Sequence, residues 1–533
     1  MTTTLFRGGR VYSPAEPFAT ALVVEDGVIA WVGTDAAADR HRDAMDEVVE
    51  LDGAWVAPAF VDAHVHATST GLHLQGLDLS QVKSGSEVLS LVGEAAGSMD
   101  AGVLLGHGWD ETAWAEPRPP HRSEIDQAAP GVLVYLSRVD VHSCLASSAL
   151  IERIPAIHSM PGYSDDGWLT QDAHHAVRRV ALDSVTPEQR RDAQRTCLQR
   201  AAELGIGMVH ELGGPDISSA DDLTDLLERV APESGVTVVG YWGEGGGPEV
   251  AVSLGAQGAA GDHFVDGAIG SRTAFLRQPY ADADTTGAAY TTAAAIRDHV
   301  VACSRAGVQA GYHVIGDGAM DLVVAGFLEA AEIVGEDTVQ AAHHRLEHVE
   351  MVDEHARTVL AHLGVVASVQ PVFDAWWGGD AGMYAERLGT PRARTLNPFA
   401  AMQSVGIPLA LGSDAPVTPL GPWQAIRAAV HHHQSEQRLT PRAAFSAHTR
   451  GGWRAARRRG GVIAVGEPAS IAIWDCEELV VDSPDERVSA WSTDPRAGVP
   501  GLPPLDDDAP DPVCLQTLVA GRTVYSNDAG RSQ

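Results

Sequence analysis

The sequence contains only one lysine, Lys83, so arginine supplies nearly all of its positive charge. Cysteine is also scarce: five widely scattered residues form no CxxC pair, which argues against a disulfide framework and a thiolate metal site. No apolar run reaches the ~18 residues of a membrane-spanning helix, and the first residues lack the basic start and apolar core of a signal peptide. We therefore expect a cytoplasmic protein with reduced thiols.

Basic residues are too few to balance the acidic ones, and the formal net charge is −34. Nucleic acids and anionic membranes both bind basic surfaces, so we expect neither as a partner. The hydrophobic content of 44% and the charged content of 20% are typical of a globular protein. The charge does not choose a substrate. We expect a small-molecule partner, and a homodimer is the default expectation for the oligomeric state.

Two sequence patterns divide the chain into predicted domains. Short β runs occur at both ends, including a hairpin signal at Asp26-Gly27, and they predict one composite β-sandwich domain from residues 1–56 and 460–533. Between them, apolar strands alternate with helical stretches, which predicts a parallel sheet with crossover helices. The length of 533 residues also exceeds one typical core.

Eight candidate strands occur in this central part. They lie near residues 57–63, 206–211, 236–242, 262–266, 308–313, 342–348, 365–370 and 408–412. Eight strand–helix units predict an α/β fold, a closed (β/α)₈ TIM barrel, over residues 57–459. The stretch from about 70 to 200 is too long for one crossover, so we predict an inserted subdomain there, with strands near 103–106 and 132–137.

The first candidate strand runs directly into two histidines, in Phe60-Val61-Asp62-Ala63-His64-Val65-His66. Side chains at positions i and i+2 of a strand share one face, so His64 and His66 can bind the same metal ion. Such a pair is a weak signal alone, because a chain with 23 histidines produces chance pairs. Later strands supply further residues of the same kind.

His313, His348 and Asp414 stand at the ends of three later strands. One such residue alone would be better explained as a polar group that caps a loop. The set lies at the carboxyl ends of barrel strands, where active sites are built, and therefore predicts a bound divalent metal ion. Imidazole and carboxylate ligands suit Zn²⁺, with Mn²⁺ or Fe²⁺ as alternatives.

These motifs resemble the metal-dependent amidohydrolase superfamily. The similar group is amidohydrolase family 3, which includes YtcJ-like proteins and N-substituted formamide deformylases. Besides the first-strand motif, the resemblance is carried by His313-Val314-Ile315-Gly316-Asp317, Arg345-Leu346-Glu347-His348, Gly412-Ser413-Asp414-Ala415-Pro416 and Arg138-Val139-Asp140-Val141-His142. It covers nearly the whole chain and implies a metal-dependent hydrolase.

The resemblance also implies roles for the individual residues. His64, His66 and Asp414 would hold one ion, while His313 and His348 would hold a second. Asp414 would also be the general base that takes a proton from the attacking water and passes it to the leaving group. The implied reaction is hydrolysis of a non-peptide C–N bond in an amide, an N-formyl compound or a cyclic amide.

The chain departs from the family pattern on the fourth strand. Members of the group place there a lysine whose carbamate bridges two metal ions, whereas this chain has Asp262. The only lysine, Lys83, lies in the predicted insertion, so no lysine carbamate is expected. Asp262 shares a strand face with Asp266 by alternation and could bridge directly, but its side chain is shorter. We therefore expect one or two ions, of which one is firmly held.

Three further residues are candidate substrate ligands, and each has an ordinary alternative. His142 could cover the barrel mouth or belong to an internal polar network. Arg272 could orient a substrate carbonyl or carboxylate, or form a salt bridge. Gln370 could donate a hydrogen bond to substrate or satisfy the backbone. The run His431-His432-His433 is predicted to be exposed.

Two other functions remain open from the sequence. An ester or lactone hydrolase would use the same activated water, because both reactions need the same stabilisation of negative charge. A metal-free binding protein on the same fold is the alternative from a different class, because fold does not fix function.

Overall fold

The structure is a computed structural model that describes residues 2–40, 45–99, 101–139, 143–480, 500–506 and 508–527. The chain forms two compact units, one of residues 1–66 and 198–533 and the other of residues 67–197. No helix in the described ranges has both the length and the hydropathy needed to cross a membrane.

The first unit begins with short strands and one short helix. These are Thr3–Arg7 (β1), Arg10–Val11 (β2), Ala21–Glu25 (β3), Val28–Gly33 (β4), Asp35–Ala38 (α1), Glu47–Glu50 (β5), Trp55–Pro58 (β6) and the fully buried Phe60–Val65 (β7). Asp26 and Gly27 connect β3 to β4 and both have positive φ, as a tight hairpin turn requires. The strand β6 leads almost directly into β7, so the terminal strands and the barrel are continuous along the chain.

The second unit contains one five-stranded sheet with helices. Its elements are Ala67–Gln75 (α2), Leu77–Asp78 (β8), Gly85–Gly97 (α3), Val103–Trp109 (β9), Arg122–Ala128 (α4), Leu133–Arg138 (β10), Ser143–Ala146 (β11), Ser148–Ile151 (α5), Trp168–Thr170 (β12), Gln171–Asp183 (α6) and, as far as Cys197, the helix Pro187–Glu203 (α7). The strand order is β12-β11-β10-β9-β8. Separate apolar clusters around Val88 and Val177 give this unit its own core.

The chain then returns to the first unit and builds the rest of the barrel. The strands are Ile206–Gly213 (β13), Thr237–Trp242 (β14), Gly258–Ala259 (β15), Gln309–Val314 (β16), Arg345–His348 (β17), Val366–Val369 (β18) and Leu409–Leu411 (β19). The helices between and after them are Ala220–Asp225 (α8), Ala231–Ser234 (α9), Glu249–Ser253 (α10), Ala293–Ala306 (α11), Asp317–Val334 (α12), Glu336–Ala342 (α13), Glu354–His362 (α14), Pro371–Trp377 (α15), Met383–Leu388 (α16), Thr390–Ala393 (α17), Phe399–Ser404 (α18), Pro422–Val430 (α19), Pro441–Ser446 (α20) and Gly452–Ala455 (α21).

These strands form one parallel sheet in the order β19-β18-β17-β16-β15-β14-β13-β7. Its first and last strands meet where Asp414 N–H donates to the His64 carbonyl at 2.8 Å and Ser413 N–H donates to Asp62 Oδ1 at 2.9 Å. An isolated parallel bridge joins Val65 to Ala415. These contacts bring the two edges together, and the predicted (β/α)₈ barrel is confirmed.

The position predicted for the fourth strand was wrong. The strand β15 ends at Ala259, before the predicted range 262–266, because Gly261 takes a left-handed φ of 94° that an extended strand cannot continue through. Phe264 makes only an isolated bridge to His313. Asp262 therefore lies in the loop after the strand, and strand alternation does not explain its direction.

The chain ends with Ile471–Asp475 (β20), Val513–Val519 (β21) and Arg522–Ser526 (β22). They join the N-terminal strands in a sheet of order β2-β6-β20-β21-β22, which shares an apolar core with the sheet β4-β3-β1-β5. Leu22, Val56 and Ile473 are fully buried in this core. The composite β-sandwich of the predicted fold is therefore present, while the domain boundaries at residues 57 and 460 stay a prediction.

One buried histidine ties the last helical turns to the first barrel strand. His448 is 1% exposed in the π-helical turn Ala447–Gly451, and its Nδ1 lies 2.8 Å from the Val61 carbonyl oxygen. Burial lowers the pKa of His448 to about 4. The unfolded chain, with a histidine pKa of about 6.5, therefore takes up this proton first, and stability is lost as the pH falls below that value.

We expect the protein to lose on the order of 1–2 kcal/mol of unfolding free energy between pH 7 and pH 5 through His448 alone. In His448→Gln the amide can still donate to Val61 but cannot take up a proton, so the loss over this range should be smaller. Urea unfolding at both pH values measures it, with the exposed His355→Gln as control. Equal losses in His448→Gln and the unaltered protein would contradict this account.

Candidate metal centre

Six nearly buried polar side chains converge at the carboxyl ends of five barrel strands. They are His64 at the end of β7, His66 just after it, Asp262 after β15, His313 in β16, His348 at the end of β17 and Asp414 after β19. As whole residues, none of them is more than 8% exposed. In a parallel barrel all strands end on the same face, so residues far apart in sequence meet there.

The closest group contains both carboxylates and the first two histidines. Asp414 Oδ1 lies 3.3 Å from His64 Nε2 and 3.1 Å from His66 Nε2. Asp262 Oδ2 lies 3.2 Å from His66 Nε2, and its Oδ1 lies 3.6 Å from His64 Nε2. Two ligands of one tetrahedral zinc ion lie about 3.3 Å apart, given bonds of about 2.0–2.1 Å. These donors therefore have the spacing of ligands that share one ion.

The remaining two histidines lie farther from the carboxylates. His313 Nδ1 is 3.8 Å from Asp262 Oδ1. His348 forms a second group with His64 and Asp262, in which the donor atoms lie within 4.8 Å of one another. Both groups use His64, whose single free nitrogen can bind only one ion. A second ion would therefore depend on His313, His348 and the shared Asp262.

Unsatisfied atoms within the cluster are the observation that fits a metal ion. His64 Nε2, Asp262 Oδ1 and His313 Nδ1 are all buried and have no hydrogen-bond partner in the described structure. Leaving a buried polar atom unpaired costs about 1–3 kcal/mol, so three such atoms at one place call for a ligand. Imidazole and carboxylate donors together suit a divalent ion of the zinc type. The cluster is therefore suited to binding a metal ion.

The electrostatics of the cluster lead to the same conclusion. Burial would lower the pKa of His66, but hydrogen bonds with Asp262 and Asp414 raise it to about 10. Burial likewise opposes protonation of His64, yet the negative charges of Asp414 and Asp262 raise its pKa well above the usual value. Without a metal ion, the protonated imidazoles balance the negative charge of the two buried carboxylates. A divalent cation is the other species that can do so.

Neighbouring acceptors hold three of the imidazole rings by their Nδ1 atoms. His64 Nδ1 lies 3.0 Å from Glu347 Oε2, and His66 Nδ1 lies 3.1 Å from the Leu212 carbonyl oxygen. His348 Nδ1 lies 2.8 Å from Gln370 Oε1. With Nδ1 committed to these acceptors, Nε2 is the atom that each ring can offer to a metal ion in place of a proton. Such outer hydrogen bonds fix the tautomer and direction of metal-binding histidines.

Glu347 is held in turn by a fully buried arginine. Arg345 Nε donates to Glu347 Oε1 at 2.6 Å and Nη2 donates to Oε2 at 2.9 Å, so the pair is bidentate. Arg345 Nη2 also donates to the Ala63 carbonyl at 2.8 Å. This chain of contacts ties β17 to the backbone just before His64. Glu347 is therefore held in place to orient the His64 ring.

Backbone strain and close packing occur at the same strand ends. His348 and Asp414 have left-handed φ values of 69° and 57°, which non-glycine residues rarely adopt. At Gly412 an added Cβ would lie 2.6 Å from the His64 backbone nitrogen and 3.1 Å from Asp62 Oδ1. A side chain at residue 412 would therefore push β19 away from β7.

Gly412→Ala should separate Asp414 from His64 and weaken metal binding by at least about tenfold, as expected when supporting contacts of a metal site are lost. The matched control is Gly97→Ala, because an added Cβ there meets nothing within 4 Å. A zinc titration with a competing chelator measures the affinity, and circular dichroism checks the fold. Unchanged affinity in a folded Gly412→Ala protein would contradict the described closure.

The three predicted substrate ligands have different surroundings. Gln370 is 2% exposed, and its Nε2 has no partner in the described structure, so the amide keeps a free donor beside His348. Arg272 instead donates through Nε and Nη2 to Asp282 at 3.0 and 2.7 Å. A substrate carboxylate would have to displace Asp282, and a substrate role for Arg272 stays a prediction. His142 lies outside the described residues.

Two carboxylates that organise the site were not singled out from the sequence. Asp62 accepts hydrogen bonds from Ser413 and His64 backbone N–H groups, and burial raises its pKa to about 6. Asp266 accepts from three backbone N–H groups, those of Phe275, Ile315 and Gly316. Asp62 lies inside the first-strand motif, but its role depends on contacts with distant chain segments.

The prediction that the run 431–433 is exposed was wrong for its middle residue. His432 is 1% exposed, and its Nε2 lies 3.4 Å from Asp374 Oδ1. His433 Nδ1 lies 3.0 Å from Asp374 Oδ2. The helix α19 ends at Val430, so these histidines follow it in a loop that folds over the carboxylate.

A (β/α)₈ barrel with a histidine–carboxylate cluster at its strand ends defines the class of protein. A sequence model described as the amidohydrolase family matches residues 47–525, and the chain belongs to that family. Metal-dependent hydrolases with solved structures share the fold. An uncharacterised metal-dependent hydrolase of Pyrococcus furiosus superposes with a TM-score of 0.73 at 24% identity, over 88% of this chain and 98% of that one.

Two relatives in sequence are YtcJ of Bacillus subtilis strain 168 and an N-substituted formamide deformylase of Arthrobacter pascens. YtcJ is 26% identical over 82% of this chain and 85% of its own length. The deformylase is 24% identical over 77% of this chain and 80% of its own length. The chain is therefore similar to these proteins over most of their length.

Proposed function

We propose that this protein is a metal-dependent hydrolase of non-peptide C–N bonds, acting on an amide, an N-formyl compound or a cyclic amide. The observation that carries the proposal is the cluster of buried, unsatisfied imidazole and carboxylate donors at the barrel strand ends. The similarity to an N-substituted formamide deformylase supports the choice of bond. No nucleic acid or membrane is part of the proposal.

The ion would be held by His64, His66 and Asp414, together with Asp262. The histidine–carboxylate distances among these four residues are 3.1–3.6 Å, shorter than the 3.8 Å between His313 and Asp262. We propose one firmly held ion of the zinc type, with His313 and His348 beside it as a weaker second position. Asp262 belongs to the firm position here, because its Oδ2 is within 3.2 Å of His66 Nε2.

The ion, when bound, would lower the pKa of water and polarise the carbonyl group that is attacked. Asp414 would supply the base. Its Oδ1 faces the two histidines, and Oδ2 has no recorded contact with the described residues, while the side chain keeps 10% exposure. We propose that Oδ2 takes the proton of the attacking water and passes it to the leaving nitrogen.

Gln370 and His348 would orient the substrate from the other side. Because Gln370 Oε1 accepts from His348 Nδ1, the amide is fixed with its Nε2 donor unused. A carbonyl oxygen of substrate is an acceptor of the right kind for this donor. His348 itself keeps its Nε2 in the cluster, and burial lowers the pKa of His348 to about 3, so the ring is neutral.

The test is a panel of N-formyl amines, lactams and cyclic imides beside matched esters and lactones, assayed with zinc-loaded protein. We expect turnover of a C–N substrate, and Asp414→Asn should lower kcat by on the order of 10²–10⁴-fold, as loss of a general base does. The exposed Asp337→Asn is the control, because it also replaces a carboxylate but outside the cluster.

Hydrolysis of esters or lactones alone would contradict the assignment of the bond and favour the ester hydrolase alternative. Protein that takes up no zinc but binds these amides without turnover would favour the metal-free binding protein. Full activity of Asp414→Asn would remove the base from the proposal.

A further inference from the structure

The positive charge of this chain is unevenly distributed. Residues 437–466 contain seven arginines and no aspartate or glutamate, whereas the whole chain has 71 acidic residues against 37 basic ones. The segment forms α20, the π-helical turn after it and α21. An acid-free stretch of this length in so acidic a chain makes one local region of positive potential.

Three of these arginines line a groove at the amino-terminal end of β19. Arg442, Arg450 and Arg454 are all exposed there, and the groove has a volume of about 610 Å³. The lining also contains Leu409 at the start of β19. The metal cluster lies at the opposite, carboxyl ends of the barrel strands, so the groove is separate from the proposed active site.

The groove offers no internal counter-charge. Its lining contains no acidic residue, and its other polar side chains are those of Gln403, Thr440 and Ser446. None of these three arginine side chains has a recorded ion pair or hydrogen bond within the described ranges. Arg272 and Arg345, in contrast, form bidentate ion pairs with carboxylates.

The positive charge of this segment affects the neighbouring His343. Burial lowers the pKa of His343, and the positive charges of Arg457 and Arg454 lower it further. Like charges held together without a partner repel one another, and a bound anion removes that cost. The groove is therefore prepared for negative charge from outside the chain.

We propose that this groove binds a small multivalent oxyanion, a di- or triphosphate or a tricarboxylate. Each guanidinium presents up to five N–H donors in a planar fork, which matches phosphate and carboxylate oxygens. Three such groups supply a charge of +3, which a single carboxylate would not balance. A volume of about 610 Å³ is within the range of small-molecule sites. The proposal goes beyond the hydrolase activity and does not depend on it.

The test is calorimetric titration of the full-length protein, as purified with its metal, with sodium triphosphate, citrate and acetate at constant ionic strength. We expect one site for a multivalent ion and none for acetate. Arg442→Gln, Arg450→Gln and Arg454→Gln together should weaken binding roughly tenfold or more, since hydrogen bonds between charged groups are lost.

The control has the same net charge as this triple variant. It combines Arg178→Gln, Arg179→Gln and Arg305→Gln, which are exposed arginines that do not line the groove. Its affinity should equal that of the unaltered protein. Metal content and thermal unfolding midpoint should be the same in all three proteins, which separates this test from the proposed hydrolase site.

The relative affinities for triphosphate and citrate identify the source of the oxyanion, and binding of either one at the groove supports the proposal. Absence of binding, or binding that the groove variant retains, would overturn it, the latter because the ligand would then lie elsewhere, for example at the metal. Tighter binding of a single-stranded oligonucleotide than of triphosphate, lost in the groove variant, would replace the small ligand with a nucleic-acid surface.

Discussion

The arrangement of the rest of the site depends on two buried carboxylates that have no permanent counter-charge. Asp262 and Asp414 are 5% and 7% exposed, and in the described part of the chain neither forms an ion pair with lysine or arginine. Burying an unpaired carboxylate is costly, and the imidazoles beside them balance the charge only when they carry protons. The site therefore favours binding of a cation, and the barrel strands hold the ligand side chains in position for it.

The surrounding hydrogen bonds keep the histidines ready for that cation. Arg345 neutralises Glu347, and Glu347 accepts a hydrogen bond from His64 Nδ1. The Nε2 atom of His64 is therefore the one left to bind a cation. Closure of β19 against β7 places Asp414 beside the same ring. The barrel closure and the site geometry are thus one set of contacts. A change that loosens the first would loosen the second.

The sequence predicted the barrel and five of the six clustered residues because both depend on local patterns repeated along the chain, whereas Asp262 was a candidate only through the resemblance to the family. Apolar strands end in ligand-type residues at His64, His313, His348 and Asp414, and parallel strands bring those ends to one face. The pattern did not predict that Gly261 ends β15 early, nor that Asp62 joins the first strand to the last. Such features depend on backbone conformation and on contacts between distant segments, which the spacing of apolar residues along the chain does not indicate.

The most direct test of the central claim is the position and number of metal ions. Protein purified without chelator would be analysed by elemental mass spectrometry and by anomalous diffraction at the zinc edge, beside His64→Ala and Asp262→Ala, with the exposed His355→Ala as control. We predict about one ion per chain, among His64, His66, Asp262 and Asp414, lost in His64→Ala and weakened in Asp262→Ala. Absence of any ion after incubation with zinc, manganese or iron, or an ion bound away from these residues, would contradict the account.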